Sequence, residues 1–381
     1  MDIHRTRSGA AAAALAGALL AGIGTAAAAA PEKLATGLNN PRGLAFAPNG
    51  ALYVVELGNG GSGPCALGPT GGTRCYGESG AISRILPGGG SKRVVDGLPS
   101  LGLASGQGEG GPNDISFFGM VAYVTMGWGG HPDQRGVFGG KSDLFGSLLR
   151  VLPNGRYAPV ADIAGLEGAS NPDGGPVDSN PYGVLALPGR RIVADAGANA
   201  LFEIWANGWK RTFGVPFKLS GPPGPKGEPG AREPVPTSVA QGPDGAIYAG
   251  LLGAAPFFQG YSAIVRFPPF GGDAEVVVRD VTTVVDLTFD HRGGLYWLEV
   301  GRGLTSPPSG PPIGPQQGRL LRRCPGATSN EVLLAGLTFP GGVEIGWDGD
   351  AYLTNNGTSP TAGEVLRLPL TPCPRRHRPH R

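Results

Sequence analysis

The sequence predicts an all-β fold: a six-bladed β-propeller with an N-terminal strand closing the last blade. Three observations lead there. A pair of apolar strands joined by a tight turn recurs six times. Gly and Pro, 69 and 38 of the 381 residues, fall between the apolar runs, as many short strands and turns require. The two ends of the chain also complement each other, as a ring of sheets needs if no edge is to stay open.

The first full unit, PRGLAFAPNGALYVVELG at 41–58, sets the pattern. Aligned on it, the second strands carry Tyr53, Tyr123, Ile192, Tyr248, Tyr296 and Tyr352 at one position. Pro41, Pro112, Pro181, Pro236 and Pro340 precede first strands, and blade units start near 41, 112, 181, 236, 285 and 340. The inter-strand turns hold Asn49-Gly50, Pro188-Gly189, Asp244-Gly245, Arg292-Gly293 and Asp348-Gly349, pairs that supply the positive φ of a tight hairpin. Third strands share Gly-x-aliphatic-x-Arg-aliphatic, at Gly80 to Ile85, Gly146 to Val151 and Gly363 to Leu368. Arg266 and Arg322 hold the Arg position in units four and five, and Glu203 replaces it in unit three. Fourth strands follow at 92–98, 274–281 and 330–337. The last unit stops after its third strand, at Leu370, whereas KLATGL at 33–38 has the fourth-strand pattern. The N-terminus therefore completes the final blade, and the propeller spans 31–370.

Residues 1–30 read as a cleaved signal peptide: Arg5 and Arg7 precede an Ala/Leu/Gly run and the small residues Ala26 to Ala30. The protein is then expected to be secreted, with no transmembrane segment in the mature chain. Four Cys in an oxidising compartment predict two disulfides, Cys65 with Cys75 around a Gly-rich loop and Cys324 with Cys373 as the remaining pair. Residues 221–232, GPPGPKGEPGAR, are four Gly-x-y triplets, too few for a triple helix, and read as an extended loop. Residues 301–317 form a second Gly/Pro/Ser-rich loop, and 371–381 a basic C-terminal tail. With 31 basic and 29 acidic residues, the net charge of +2 speaks against nucleic acid as a partner. A monomer is expected.

The motifs NNPRGLAFAPNGALYVVELGNGG (39–61), GEGGPNDISFFG (108–119), SNPYGV (179–184), VPTSVAQGPDGAIYAGLLGA (235–254) and PGGVEIGWDGDAYLTNNGTSPTAGEVLRL (340–368) resemble the ScyD/ScyE family. These are secreted NHL-type propellers named after cyanobacterial gene clusters for the pigment scytonemin. The likeness covers nearly all of the mature chain. It implies a propeller and export, with no agreed catalytic residues.

In a propeller the starts of first strands and the ends of second strands share one face around the channel. Three places after the aligned Tyr stand Glu56, Met126, Asp195, Leu251, Glu299 and Asn355. Glu56, Asp195, Glu299 and Asn355 are the metal candidates, oxygen ligands suited to Ca²⁺. Six-bladed propellers of the gluconolactonase and paraoxonase type hold their cation with such ligands. The alternative is a hydrated polar funnel in which the carboxylates pair with Arg42 or other Arg. The first strands add ligand-binding candidates Arg42, Asn113, Asp114, Tyr182, Thr237 and Asp286.

GGHPDQRG (129–136) and LFGSLLRVLPNG (144–155) are similar to the blade-two region of quinone-dependent soluble sugar dehydrogenases. That likeness makes His131 the catalytic candidate, a base partnered by Asp133 or Arg135, against an ordinary loop histidine capping backbone groups. His291 falls in a turn on the opposite face. Trp128, Phe138, Phe145, Phe257, Phe258 and Tyr261 either line an apolar pocket over the channel or pack beneath their own loops. No Gly-x-Ser-x-Gly elbow and no phosphate loop occurs. The expected function is binding or scaffolding, with a small molecule, glycan or peptide on the channel face. The alternative is a metal-dependent lactonase or hydrolase, or a quinone-dependent oxidoreductase resembling sugar dehydrogenases.

Overall fold

A computed structural model describes residues 30–68, 71–222, 230–305, 311 and 313–374. Residues 1–29 of the expected signal peptide, the centre of the loop at 221–232, part of the loop at 301–317 and the basic tail from 375 onward lie outside the described residues.

The predicted turns form where Gly supplies the required backbone. Gly50, Gly189, Gly245, Gly293 and Gly349 all have φ between 75° and 85°. Each turn folds its two strands into an antiparallel pair, and a third and fourth strand follow in chain order. Units three, four and five are separate four-stranded antiparallel sheets. A further four-stranded sheet joins Val343–Ile345, Ala351–Asn355 and Gly363–Leu368 to the N-terminal strand Glu32–Leu38. The closing strand is in register from Glu32 opposite Arg367 to Leu38 opposite Gly363. The arrangement is that of a propeller, with four blades standing as separate sheets.

Units one and two share one nine-stranded sheet. The cause is length: Thr73–Ile85 and Ser91–Leu103 run 13 residues each, beyond the end of their own blade. Leu101 and Gly102 then pair with Gly110 and Gly108 of the next first strand, Gly108–Phe118. On its other side the overhang pairs with Cys65–Leu67, where Cys65 lies opposite Cys75. The sequence reading placed these strands at 80–85 and 92–98 and missed the extension.

The first strands of the six units touch one another in cyclic order, from Pro41–Phe46 round to Val343–Ile345 and back. The apolar core is correspondingly divided among neighbouring units. One cluster joins Val55 and Ile82 of unit one to Val124 and Leu149 of unit two; another joins Leu38 and Val365 to Leu44 and Val54 across the closure. Comparable clusters lie between the other adjacent units.

Both expected disulfides are present, Cys65–Cys75 and Cys324–Cys373. The second ties the chain beyond its last strand to unit five, where the Arg322 guanidinium also donates to the Thr371 carbonyl at 2.5 Å. Glu203, the exception in the Arg column, is fully buried between Arg190 and Arg211, at 2.6 and 2.7 Å. A short helix, Ile163–Ser170, follows unit two; the Asp162 carboxylate caps it by accepting from the Gly165 N–H. No helix among the described residues is long and apolar enough to cross a membrane.

Candidate functional site

The second-strand column has a local geometric cause. The chain enters each first strand through a residue in the left-handed region in most units: Asn40, Val235, Thr283 and Phe339 have φ between 44° and 51°. At this entry a backbone N–H lies near the end of the second strand, and in four units the column residue accepts it. Glu56 accepts from Asn39 N–H at 2.8 Å, Asp195 from Asn180 at 2.5 Å, Glu299 from Thr282 at 3.0 Å and Asn355 from Thr338 at 2.7 Å. The remaining lone pairs are also used. Glu56 takes the Ser83 hydroxyl at 2.6 Å and the Arg93 guanidinium; Asp195 takes the Ser179 hydroxyl and the Gly197 and Ala198 N–H groups; Glu299 pairs with Arg319; Asn355 donates to Glu364. The structure does not bring the four together around a shared cation. Among the described residues no three His, Cys, Asp or Glu side chains gather as a metal site. Burial still leaves a mark: the Asp195 carboxyl is pushed up to about 6, and that of Glu299 rises despite Arg319.

The first-strand candidates divide into two groups. Asn113 and Thr237 are buried and staple neighbouring units, Asn113 to the Pro181 carbonyl at 3.1 Å and Thr237 to that of Val284 at 2.9 Å. Arg42 donates to the Gly357 carbonyl. Asp114 and Asp286 line the channel, and the charges of Arg42, Asp286 and Asp114 all act on the nearby Tyr182 hydroxyl. Asp114 accepts from the Val184 N–H and Asp286 from the Val343 N–H, so each also links its unit to the next. Gly43 leaves the room Asp114 needs, since a Cβ there would stand 2.0 Å from the Asp114 Oδ1.

Glu344 was missed. It projects into the same channel, two positions along its strand from the close glycine contact that Gly342 makes with Gly43. Burial and the Asp114 charge push its carboxyl up to about 8. Asp114 and Asp286 are likewise raised, by burial above all, and repel one another. The sequence carried no signal for Glu344, because the matching positions are Ala45, Ser116, Leu185, Ala240 and Thr288.

The cavity above these acids opens toward the hairpin turns, opposite the face on which the sequence reading placed the site. Its inner part, about 320 Å³, is lined by Asp114, Asp286 and Glu344 among first-strand residues. It continues into a vestibule of about 510 Å³ bordered by Phe46, Phe117, Phe289 and Trp347. At the other end the first strands press together: a Cβ on Gly341 or Gly342 would meet the Arg42 or Gly43 backbone at 3.0 or 2.8 Å. Tyr182 packs there against the core shared by units five and six.

His131 caps a short 3₁₀ turn, its Nδ1 accepting from the Asp133 N–H at 3.3 Å, with the Asp133 carboxylate 3.8 Å away. Arg135 is taken by Asp162 at 2.8 Å. Trp128, Phe138 and Phe145 pack beneath their loops with Tyr76 and Leu101, so that alternative holds for these three. His291 is exposed in its turn, at the rim of the vestibule.

No family model matches the chain, and no curated protein matches it in sequence. Solved structures do match. A glucose dehydrogenase is 14% identical over 90% of this chain and 100% of that one, with a TM-score of 0.53. Another glucose dehydrogenase is 12% identical over the same shares, with a TM-score of 0.50. A streptogramin B lyase is 11% identical over 89% of this chain and 97% of that one, with a TM-score of 0.46. The structural neighbours are β-propeller proteins, and at these identities the likeness concerns the fold alone.

Proposed function

We propose that the protein is a secreted six-bladed propeller of the ScyD/ScyE type that binds the end of a glycan in its channel, entered from the hairpin-turn face. Reading the nine-stranded sheet as two blades joined where the overhang of Ser91–Leu103 pairs with the next first strand supports the count of six. Two disulfides and the signal-like residues 1–30 support export. The family assignment rests on the sequence motifs alone.

The observation that carries the binding role is the pairing of an acidic inner wall with an aromatic vestibule. Aromatic faces pack on the C–H faces of a sugar while carboxyl groups exchange hydrogen bonds with its hydroxyls, and pockets of roughly 300–1,000 Å³ suit small ligands. Glu344, with its carboxyl at about 8, is largely neutral near pH 7 and both donates and accepts. A neutral, hydroxyl-rich ligand fits such a wall better than a cation. Trp347, 83% exposed at the rim, is an aromatic without packing of its own and supplies the outermost contact.

The lactonase alternative requires a shared cation, and the four column residues are each held in their own unit. The oxidoreductase alternative keeps only the likeness of fold, since His131 serves as a cap.

A glycan array probed with the mature chain, followed by calorimetry on the strongest hit, tests the proposal. Trp347→Ala and Glu344→Gln should each weaken binding about tenfold with the fold intact. Absence of any glycan hit, or full affinity in both variants, would refute it.

A further inference from the structure

We infer that Glu167, Asn171 and Asp178 form a cation site, distinct from the channel, that takes a hard divalent ion of the Ca²⁺ class. Glu167 sits on the core face of the helix Ile163–Ser170, one turn after Ile163, where an apolar residue is expected. It is 0% exposed, and neither carboxyl oxygen has a hydrogen-bond partner among the described residues. The Asp178 N–H faces the carboxyl without closing a bond of ordinary geometry.

Two further oxygens are in the same condition. The Asn171 Nδ2 donates to the Gly175 carbonyl at 2.9 Å, which fixes the amide orientation and leaves Oδ1 as an acceptor. That Oδ1 is buried without a partner, as is Asp178 Oδ1. Asn171 belongs to the helix end itself, its N–H donating to the Glu167 carbonyl oxygen.

The charges acting on Glu167 itself are all negative, and the donor that faces it is the Asp178 N–H. The charges acting on Glu167 come from Asp195, Asp173 and Asp178, all acidic, and together with burial they push its carboxyl up to about 7. Asp195 and Asp173 are satisfied elsewhere, Asp173 by the Gly175 N–H and the Asn199 amide. Arg74 lies within electrostatic range of Asp178; its terminal nitrogens donate to the Trp128 and Gly129 carbonyls, and its Nε is buried without a partner among the described residues. Buried acceptors in a protein are paired as a rule, and a buried carboxylate without a cation is costly. With fewer than three carboxylate, His or Cys ligands, the site needs carbonyls or water to complete it, as Ca²⁺ coordination by six to eight oxygens commonly does. All available donors are oxygen, which speaks against Zn²⁺.

The test uses the full mature chain stripped with EDTA. Calcium titration should raise the melting temperature saturably, by about 4 °C at about 100-fold excess over the dissociation constant. Tb³⁺ should bind with luminescence sensitised by Trp128, because Gly129 and Gly130 bond to Ser179, next to Asp178, and Ca²⁺ should displace it. Glu167→Gln should lose at least tenfold in affinity, and its melting temperature in EDTA should match or exceed that of the parent. Asn171→Asp, which adds a charge at the same point, should tighten binding. No melting shift together with no sensitised emission would overturn the proposal and leave a protonated Glu167. So would unchanged affinity in both variants, or loss of binding only in Glu56→Gln.

Discussion

Glu203 shows what a single buried carboxylate carries. With no exposure of its own it holds Arg190 and Arg211, and removing its charge strands the buried Arg190 guanidinium, while that of Arg211 is partly exposed. Glu203→Gln should cost about 3–5 kcal/mol of stability, read from urea unfolding; a loss under about 1 kcal/mol would mean that solvent replaces the pairing. The channel acids act in the opposite sense. Glu344 titrates near 8 in the folded chain and in the ordinary carboxyl range when unfolded, so the native state holds the extra proton between those values. Stability therefore falls as pH rises from about 4 toward 8. Glu344→Gln should leave the melting temperature unchanged at pH 3 and raise it at pH 8. An equal shift at both values would contradict the assignment. At Gly43, an Ala side chain would collide with the Asp114 carboxyl and push it into the channel.

Among the elements, the clearest lesson is the junction between a second strand and the next first strand. Glu56, Asp195, Glu299 and Asn355 were legible as a column because the repeat aligns them. Period fixes which position a residue occupies, not which way its side chain turns. Each turns back to a backbone N–H at the entry to its first strand, a contact invisible without knowing how that connection folds, through left-handed Asn40, Thr283 and Phe339 in three of the four units. Asn355→Ala should remove one such acceptor and cost about 1–3 kcal/mol, measured by thermal or urea unfolding. Closure of the ring, by contrast, was readable, because KLATGL supplied a fourth-strand pattern that the last unit lacked. The disulfide pairs were readable as well. Cys324–Cys373 closes a 49-residue separation, and its removal by Cys373→Ser should cost about 2–4 kcal/mol.

For the molecule as a whole, one repeat performs two tasks. Its apolar positions fill the cores between neighbouring units, and its first strands leave a channel whose wall is chemically irregular. The repeat made the fold legible and concealed the channel, since Glu344 stands in a column of small and apolar residues and the polar columns turned out to be structural. Asp114 and Asp286 were found because their polarity interrupts apolar strands; the direction from which a ligand enters was not, because Tyr182 and the tight glycine contacts close the face that the strand order favoured. The measurement that tests this account most directly is calorimetric affinity for an array-identified glycan, compared between Glu344→Gln and Asn355→Ala. The account predicts that Glu344→Gln loses about tenfold in affinity while Asn355→Ala loses stability and keeps its affinity. The reverse pattern would contradict it and return the binding site to the second-strand column.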